Sequence, residues 1–148
     1  MCGSMGSVKS ARTLEVQLRD ERDIVAARQA GRELAREMGF GIADQTRLAT
    51  AISEIVRNAL RYGGGGICVL TEVTDRASVQ IRVVVEDNGP GIPDIEKAMT
   101  PGFSTGRTLG AGMPGAKRLV HDFRVESKPG LTRVTMLMLL RQALERIS

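Results

Sequence analysis

"VVVEDNGPGIPD", Val83 to Asp94, is a run of three valines that ends on two acids and passes at once into a turn where two glycines bracket a proline. A buried strand reads this way up to Val85. A strand that stops on a carboxylate and enters so glycine-rich a turn has two explanations. One is a tight hairpin, since Asn-Gly and Pro-Gly are strong turn formers. The other is a site where the backbone must lie close to a ligand, which glycine allows because it has no Cβ.

Working outward, "ICVLTEV" (Ile67–Val73) and "SVQIRVVVED" (Ser78–Asp87) read as two strands joined at "TDRA". Upstream, "ADQTRLATAISEIVRNALRY" carries Leu48, Ile52, Ile55, Val56, Ala59 and Leu60 at helical spacing, with Asp44 as the expected N-cap and "GGGG" (Gly63–Gly66) as the stop. "ERDIVAARQAGRELAREMGF" places Ile24, Ala27, Ala30, Leu34 and Met38 on one face, and Gly39 fits its C-terminal stop. "TLEVQL" (Thr13–Leu18) alternates as an edge strand. Downstream, a glycine-rich stretch runs from Gly89 to Gly115, "AKRLVHDFRV" begins as a helix, and "FRVES" and "TRVTMLMLL" form a last strand pair around "KPGL". The order predicts an α/β fold: a two-layer α/β sandwich, a mostly antiparallel sheet with helices on one face.

The 148 residues suit one domain, and a content of 42% hydrophobic and 26% charged residues suits a globular one. Aromatics at 3%, with no Trp, make the core aliphatic and leave little for stacking nucleic-acid bases. A net charge of +4, spread along the chain, argues against DNA or anionic lipid as partner and allows an anionic ligand such as a nucleotide. Cys2 and Cys68 form neither a metal spacing nor a disulfide framework, so a reduced, cytoplasmic setting is expected. No apolar run reaches the ~18 residues of a membrane span. Residues 1–10, "MCGSMGSVKS", lack the apolar core of a signal peptide and are expected to be a disordered lead or a non-native remnant.

Three constellations carry chemistry. Glu54 and Asn58, four residues apart, share a face of the second predicted helix. Such pairs are commonly solvated polarity. The sharper reading is an amide oxygen for a hard cation such as Mg²⁺ and a carboxylate that accepts the proton of an attacking hydroxyl. Asp87, with Gly89 and Gly91 after it, is either a turn or an acceptor for an exocyclic amine such as that of adenine, with glycines against a flat ring. "GFSTGRTLGAGMPGAKR" (Gly102–Arg118) holds a formal G-x-G-x-x-G at Gly110, Gly112 and Gly115. It is not a dinucleotide fingerprint, because no strand precedes it, and it lacks the Gly-Lys-Ser/Thr of a P-loop. What survives is a glycine-rich helix start whose N–H groups suit phosphate, with Pro114 in the first turn.

In this order, Glu-x-x-x-Asn on a helix, Asp-x-Gly-x-Gly after a strand and Gly-x-Gly before a helix resemble the GHKL (Bergerat-fold) ATPase and kinase superfamily. Its members include histidine kinases, Hsp90, gyrase and the bacterial anti-sigma serine kinases. "LTRV" resembles the last nucleotide-contacting motif of that superfamily, with Thr132 as its polar residue. The family usually shows Gly-Thr there, whereas here Leu131 separates Gly130 from Thr132. Over residues 10 to 140, "DIVAAR" and "GFST…LGAG" are similar to the switch serine/threonine kinases of the stressosome, in the anti-sigma regulatory factor family.

The resemblance implies a single GHKL kinase domain over 11–148 that uses ATP and Mg²⁺. Asn58 would hold Mg²⁺, Glu54 would act as general base and Asp87 would read the adenine amine. Gly89 and Gly91 would flank the ring, Gly110 and Gly112 would lie by the phosphates, and Thr132 would contact the nucleotide. Gly102–Leu109 would be a lid that closes over them. The implied partners are STAS-domain antagonist and stressosome scaffold proteins as substrates, and a PP2C-type phosphatase as the activated target. Neither nucleic acid nor a membrane is implied. Two other readings compete. A histidine kinase would need a phosphoacceptor on a dimerising helical region; the sole His, His121, reads as a partly buried structural residue. An anti-sigma-type GHKL module would sequester a partner without catalysis, but binding alone has no need of a base at Glu54.

Overall fold

The computed structural model describes residues 8–75, 78–91, 99 and 112–140. Its organising element is the helix Ile42–Gly63, here α2. Leu48, Ile52, Ile55, Val56 and Ala59 recur along one face, and all are at most 2% exposed. Fully burying one such leucine or isoleucine contributes roughly 1.5–3 kcal/mol. The helix starts one turn earlier than Asp44 would set it. Gly41, in extended conformation, is the N-cap and makes no side-chain cap bond. Its carbonyl accepts the Gln45 N–H at 2.9 Å. Asp44 is therefore not the cap. It lies in the first turn, where a carboxylate favours the helix dipole, and binds Arg47 at 2.7 Å. At the other end Gly64 adopts φ 78°, and the Gly65 N–H reaches back to the Ala59 carbonyl at 3.0 Å. That left-handed turn is what stops the helix.

The helix α1, Arg22–Glu37, buries Ile24, Ala27, Gly31, Leu34 and Ala35. Asp23 accepts the Arg19 and Asp20 N–H groups at 2.7 and 3.1 Å and pins the entry. Gly31 lies against Ile52 with no room for a Cβ, so the two helices approach closely there. Gly39, at φ 96°, turns the chain into α2.

Five strands form one antiparallel sheet: β1 Val8–Leu18, β2 Gly66–Asp75, β3 Val79–Asp87, β4 Asp122–Lys128 and β5 Leu131–Leu139, in the order β1-β2-β3-β5-β4. The α/β fold expected from the sequence is the fold observed. On β3, Ile81, Val83 and Val85 are at most 2% exposed and join the core with the helices, while Arg82 is exposed on the other face. That outer face carries an ionic ladder in which Arg133 Nε binds Glu86 at 2.5 Å and its Nη1 binds Glu126 at 3.3 Å. One apolar and one charged face is the mark of a sheet covered on one side.

Two further boundaries differ from expectation, and so does the exposure of His121. β1 reaches back to Val8, with an irregularity between Ser10 and Arg12, so residues 8–10 belong to the sheet rather than to a disordered lead. The third helix, α3, spans Gly112–Leu119 and begins four residues before Ala116; its first turn admits Pro114, whose missing N–H has no helical partner to lose. His121 lies beyond it and is exposed rather than partly buried. It still ties structure together: its N–H donates to the Leu137 carbonyl and its Nδ1 accepts the Leu139 N–H, each at 2.9 Å. Among the described residues, no helix is long and apolar enough to cross a membrane.

Candidate active site

Asp87 closes β3 on the helix-facing side and is 9% exposed. Burial pushes its carboxyl pKa above the ordinary value, offset in part by the Gly89 N–H that donates to Oδ1 at 3.0 Å. The last residue of α2, Gly63, lies directly against this carboxyl, and a Cβ there would overlap it. Gly89 in turn packs on Gly63, where an added Cβ would come within 2.5 Å of the Gly63 Cα. Gly91, at φ 89°, passes the Lys128 carbonyl so closely that a Cβ would sit 2.7 Å from its oxygen. The turn after β3 is also fastened to the β4–β5 turn: the Gly130 N–H donates to the Gly89 carbonyl at 3.0 Å, and the Asn88 amide to the Gly130 carbonyl at 3.2 Å. The stretch is therefore no hairpin. Its glycines let three backbone segments converge beside a buried carboxylate.

Thr132, 6% exposed, faces Asp87 across β3 and β5. Its hydroxyl is 2.8 Å from that of Ser127 on β4.

Along α2, Asn58 and Glu54 lie five and nine residues before Gly63, roughly 8 and 14 Å up the axis at 1.5 Å per residue. Glu54 is 6% exposed, unlike an ordinary solvated glutamate. Two donors hold it. Arg57 Nη1 lies 3.4 Å from Oε2, and the Gly112 N–H, at the start of α3, donates to Oε1 at 3.3 Å. Gly112, at φ 65°, also passes over Asn58, whose Nδ2 would be 3.8 Å from a Cβ placed there. The structure thus brings Glu54, Asn58 and the N-terminus of α3 together at one end, and Asp87, Gly89, Gly91 and Thr132 at the other. Gly110 and the expected lid, Gly102–Leu109, lie outside the described residues. Among the described residues, no three His, Cys, Asp or Glu side chains form a metal cage.

Gly63, Arg57 and Ser127 were not singled out in the sequence. Gly63 read only as part of a helix stop, Arg57 carries no motif of its own, and Ser127 gains meaning only from strand register.

The fold is thus a helix with a buried acid and a half-buried amide packed on an antiparallel sheet. The profile of the histidine kinase-, DNA gyrase B- and HSP90-like ATPases matches residues 43–142, and the chain belongs to that family.

Within it, the chain is 51% identical over 115 residues to the serine/threonine-protein kinase RsbT of Bacillus subtilis (strain 168), covering 78% of this chain and 86% of that one. It is 33% identical over 121 residues to the anti-sigma F factor of Thermoanaerobacter sp. (strain X514), covering 77% and 80%. The crystal structure of the RsbU and RsbW domains of Rv1364c from Mycobacterium tuberculosis matches in fold, with a TM-score of 0.60 at 22% identity over 86% of this chain and 32% of that one. The chain is an enzyme of the ATP-dependent protein serine/threonine kinase class.

Proposed function

We propose that this kinase phosphorylates a serine or threonine on STAS-domain antagonist and scaffold proteins of a stressosome, and that the released kinase binds and activates a PP2C-type phosphatase in the cytoplasm. The observation that carries the catalytic part is Glu54: a buried carboxylate held by Arg57 and by the first N–H of α3, one turn from Asn58. Pure nucleotide binding has no use for it. The similarity to RsbT supports the partner part.

In this reading Asp87 accepts the adenine amine, with Gly89 and Gly91 along the ring and Thr132 beside it. The base is then fixed at the C-terminal end of α2, and the phosphates run back along the helix toward Asn58. The α3 N–H groups beyond that of Gly112, which Glu54 already holds, would face the phosphates, and Gly110 is expected beside them. Asn58 offers an amide oxygen to Mg²⁺, which when bound neutralises charge on the phosphate oxygens. Glu54 accepts the proton of the substrate hydroxyl as the hydroxyl attacks in line. Since the Glu54 carboxylate is buried, the substrate must dock over the mouth of the site to reach it.

A standard interface takes ~800 Å² from each partner, so substrate and phosphatase would compete for a shared face around α2 and the α3 N-terminus. Phosphorylating the substrate adds roughly −2 of charge beside Glu54, which weakens its hold and frees the kinase. The test uses labelled ATP and purified STAS domains, followed by competition binding with the phosphatase. Transfer to serine or threonine, weaker binding of the phosphomimetic substrate and no ternary complex are expected. The anti-sigma F relatives favour one alternative, a sequestering module. Tight partner binding without transfer would establish it, and a stable ternary complex would overturn the shared face.

A further inference from the structure

Three strands end side by side on the floor of the candidate site. In register, Asp87 on β3 faces Thr132 on β5, and Thr132 faces Ser127 on β4. The row lies on the helix-facing side, with Asp87 9% and Thr132 6% exposed and Ser127 partly buried. The Ser127 and Thr132 hydroxyl oxygens are 2.8 Å apart, the usual length of an O–H···O bond, and either could donate. The neighbouring register pair on the same face, Val125 and Val134, is apolar.

We propose that Ser127 is a positioning residue for base recognition: it donates its proton to Thr132 and so turns the Thr132 proton toward the bound base. The inference rests on the reading of Asp87 as the acceptor of an adenine amine. An ionised carboxylate can only accept, so it selects a donor on the base. In adenine the group next to that donor, the N6 amine, is a ring acceptor, N1. The next position along the row is Thr132, one strand spacing or ~4.8 Å away. To match adenine, its hydroxyl must donate, directly or through a water. A hydroxyl has one proton and two lone pairs. If that proton goes to the base, the short contact with Ser127 must be filled by the Ser127 proton. With the opposite polarity, Thr132 would turn lone pairs toward N1, an acceptor facing an acceptor.

The competing explanation is a cross-strand Ser–Thr bond that merely fastens β4 to β5. Calorimetry separates the two with ATP and 1-deaza-ATP, in which N1 is replaced by C–H. Ser127→Ala should weaken ATP by about fivefold or more, the worth of one neutral hydrogen bond, while 1-deaza-ATP changes less than about twofold by the same measure. Ser127→Thr, which keeps the hydroxyl, should restore ATP binding. Should Ser127→Ala fail to fold, Ser127→Cys keeps the volume with a weaker donor and should show the same selectivity between nucleotides. Equal weakening of both nucleotides, or wild-type ATP affinity in Ser127→Ala, overturns the inference and leaves the nucleotide site standing. Failure of the wild-type protein to bind ATP at all overturns the nucleotide reading itself, and this inference with it.

Discussion

Replacing Asp87 with asparagine exchanges one carboxylate oxygen for an amide nitrogen at a side chain only 9% exposed. The amide oxygen can still accept the Gly89 N–H, now at 3.0 Å. Its nitrogen would face the adenine amine, donor against donor. The lost charge-assisted bond costs about 1.5–3 kcal/mol, and the unsatisfied buried donor about 1–3 kcal/mol more. At 1.4 kcal/mol per decade, ATP affinity should fall between about 10² and 10⁴-fold.

The fold should survive this exchange, for an electrostatic reason. Burial raises the Asp87 pKa above its ordinary value of 3.8, so the folded state disfavours the charge. The stability linked to this group is fully present below that value and is lost as pH rises through the raised folded pKa. Asparagine carries no charge to bury. The variant should therefore melt at or above the wild-type temperature at pH 7, with the difference shrinking as pH falls toward 4. ATP binding to the wild type should run the other way, weakening as pH falls through the raised pKa because the acceptor becomes protonated. Calorimetry and thermal melts between pH 4 and pH 8 read both effects. A folded Asp87→Asn protein with unchanged ATP affinity would refute the reasoning.

Other outcomes follow from the same geometry. Gly63→Ala gains up to ~1 kcal/mol in helix propensity but drives a methyl into the Asp87 carboxyl. Overpacking of ~1–3 kcal/mol should exceed that gain, so melts should show destabilisation, and calorimetry should show ATP affinity reduced at least ~10-fold. Asn58→Ala should weaken the Mg²⁺-dependent part of ATP binding by at least ~10-fold, the lower end seen around metal sites, with little change in metal-free binding. Cys68 is fully buried, and burial pushes its thiol pKa up to about 12. Mass spectrometry after thiol labelling at pH 8 should find Cys68 unmodified in the folded protein and modified in denaturant, since the reactive thiolate is scarce and shielded.

The elements legible in the sequence were those whose pattern is local and repeated. α2 declares itself through six apolar positions at helical spacing, and β3 through its valines. The carboxylate after β3 and the Glu54–Asn58 pair stood out because polar residues there break or edge an apolar pattern. Edges and register were not legible. Residues 8–12 of β1 carry no apolar alternation; they pair through backbone with β2 alone, as an edge strand can. Asp44 looked like a cap, but capping depends on where the first helical bond closes, and the Gly41 carbonyl closes it earlier. α3 starts upstream at Gly112, whose positive φ the composition of "GAGMPG" did not place at any one glycine. The roles of Gly63 and Ser127 arise from contacts with residues 24 and five positions away, through helix-on-sheet packing and hairpin register.

The most direct test of the account is single-turnover phosphoryl transfer from Mg²⁺-ATP to a STAS-domain substrate by the wild type and by Glu54→Gln, at ATP occupancies matched by calorimetry. Glutamine keeps the shape and can accept the Gly112 N–H, but it cannot take a proton. The account predicts ATP affinity within a few-fold of wild type and transfer slowed by ~10²–10⁴, with the label on serine or threonine. Transfer by Glu54→Gln at the wild-type rate would contradict it, because the substrate proton would then leave by another route.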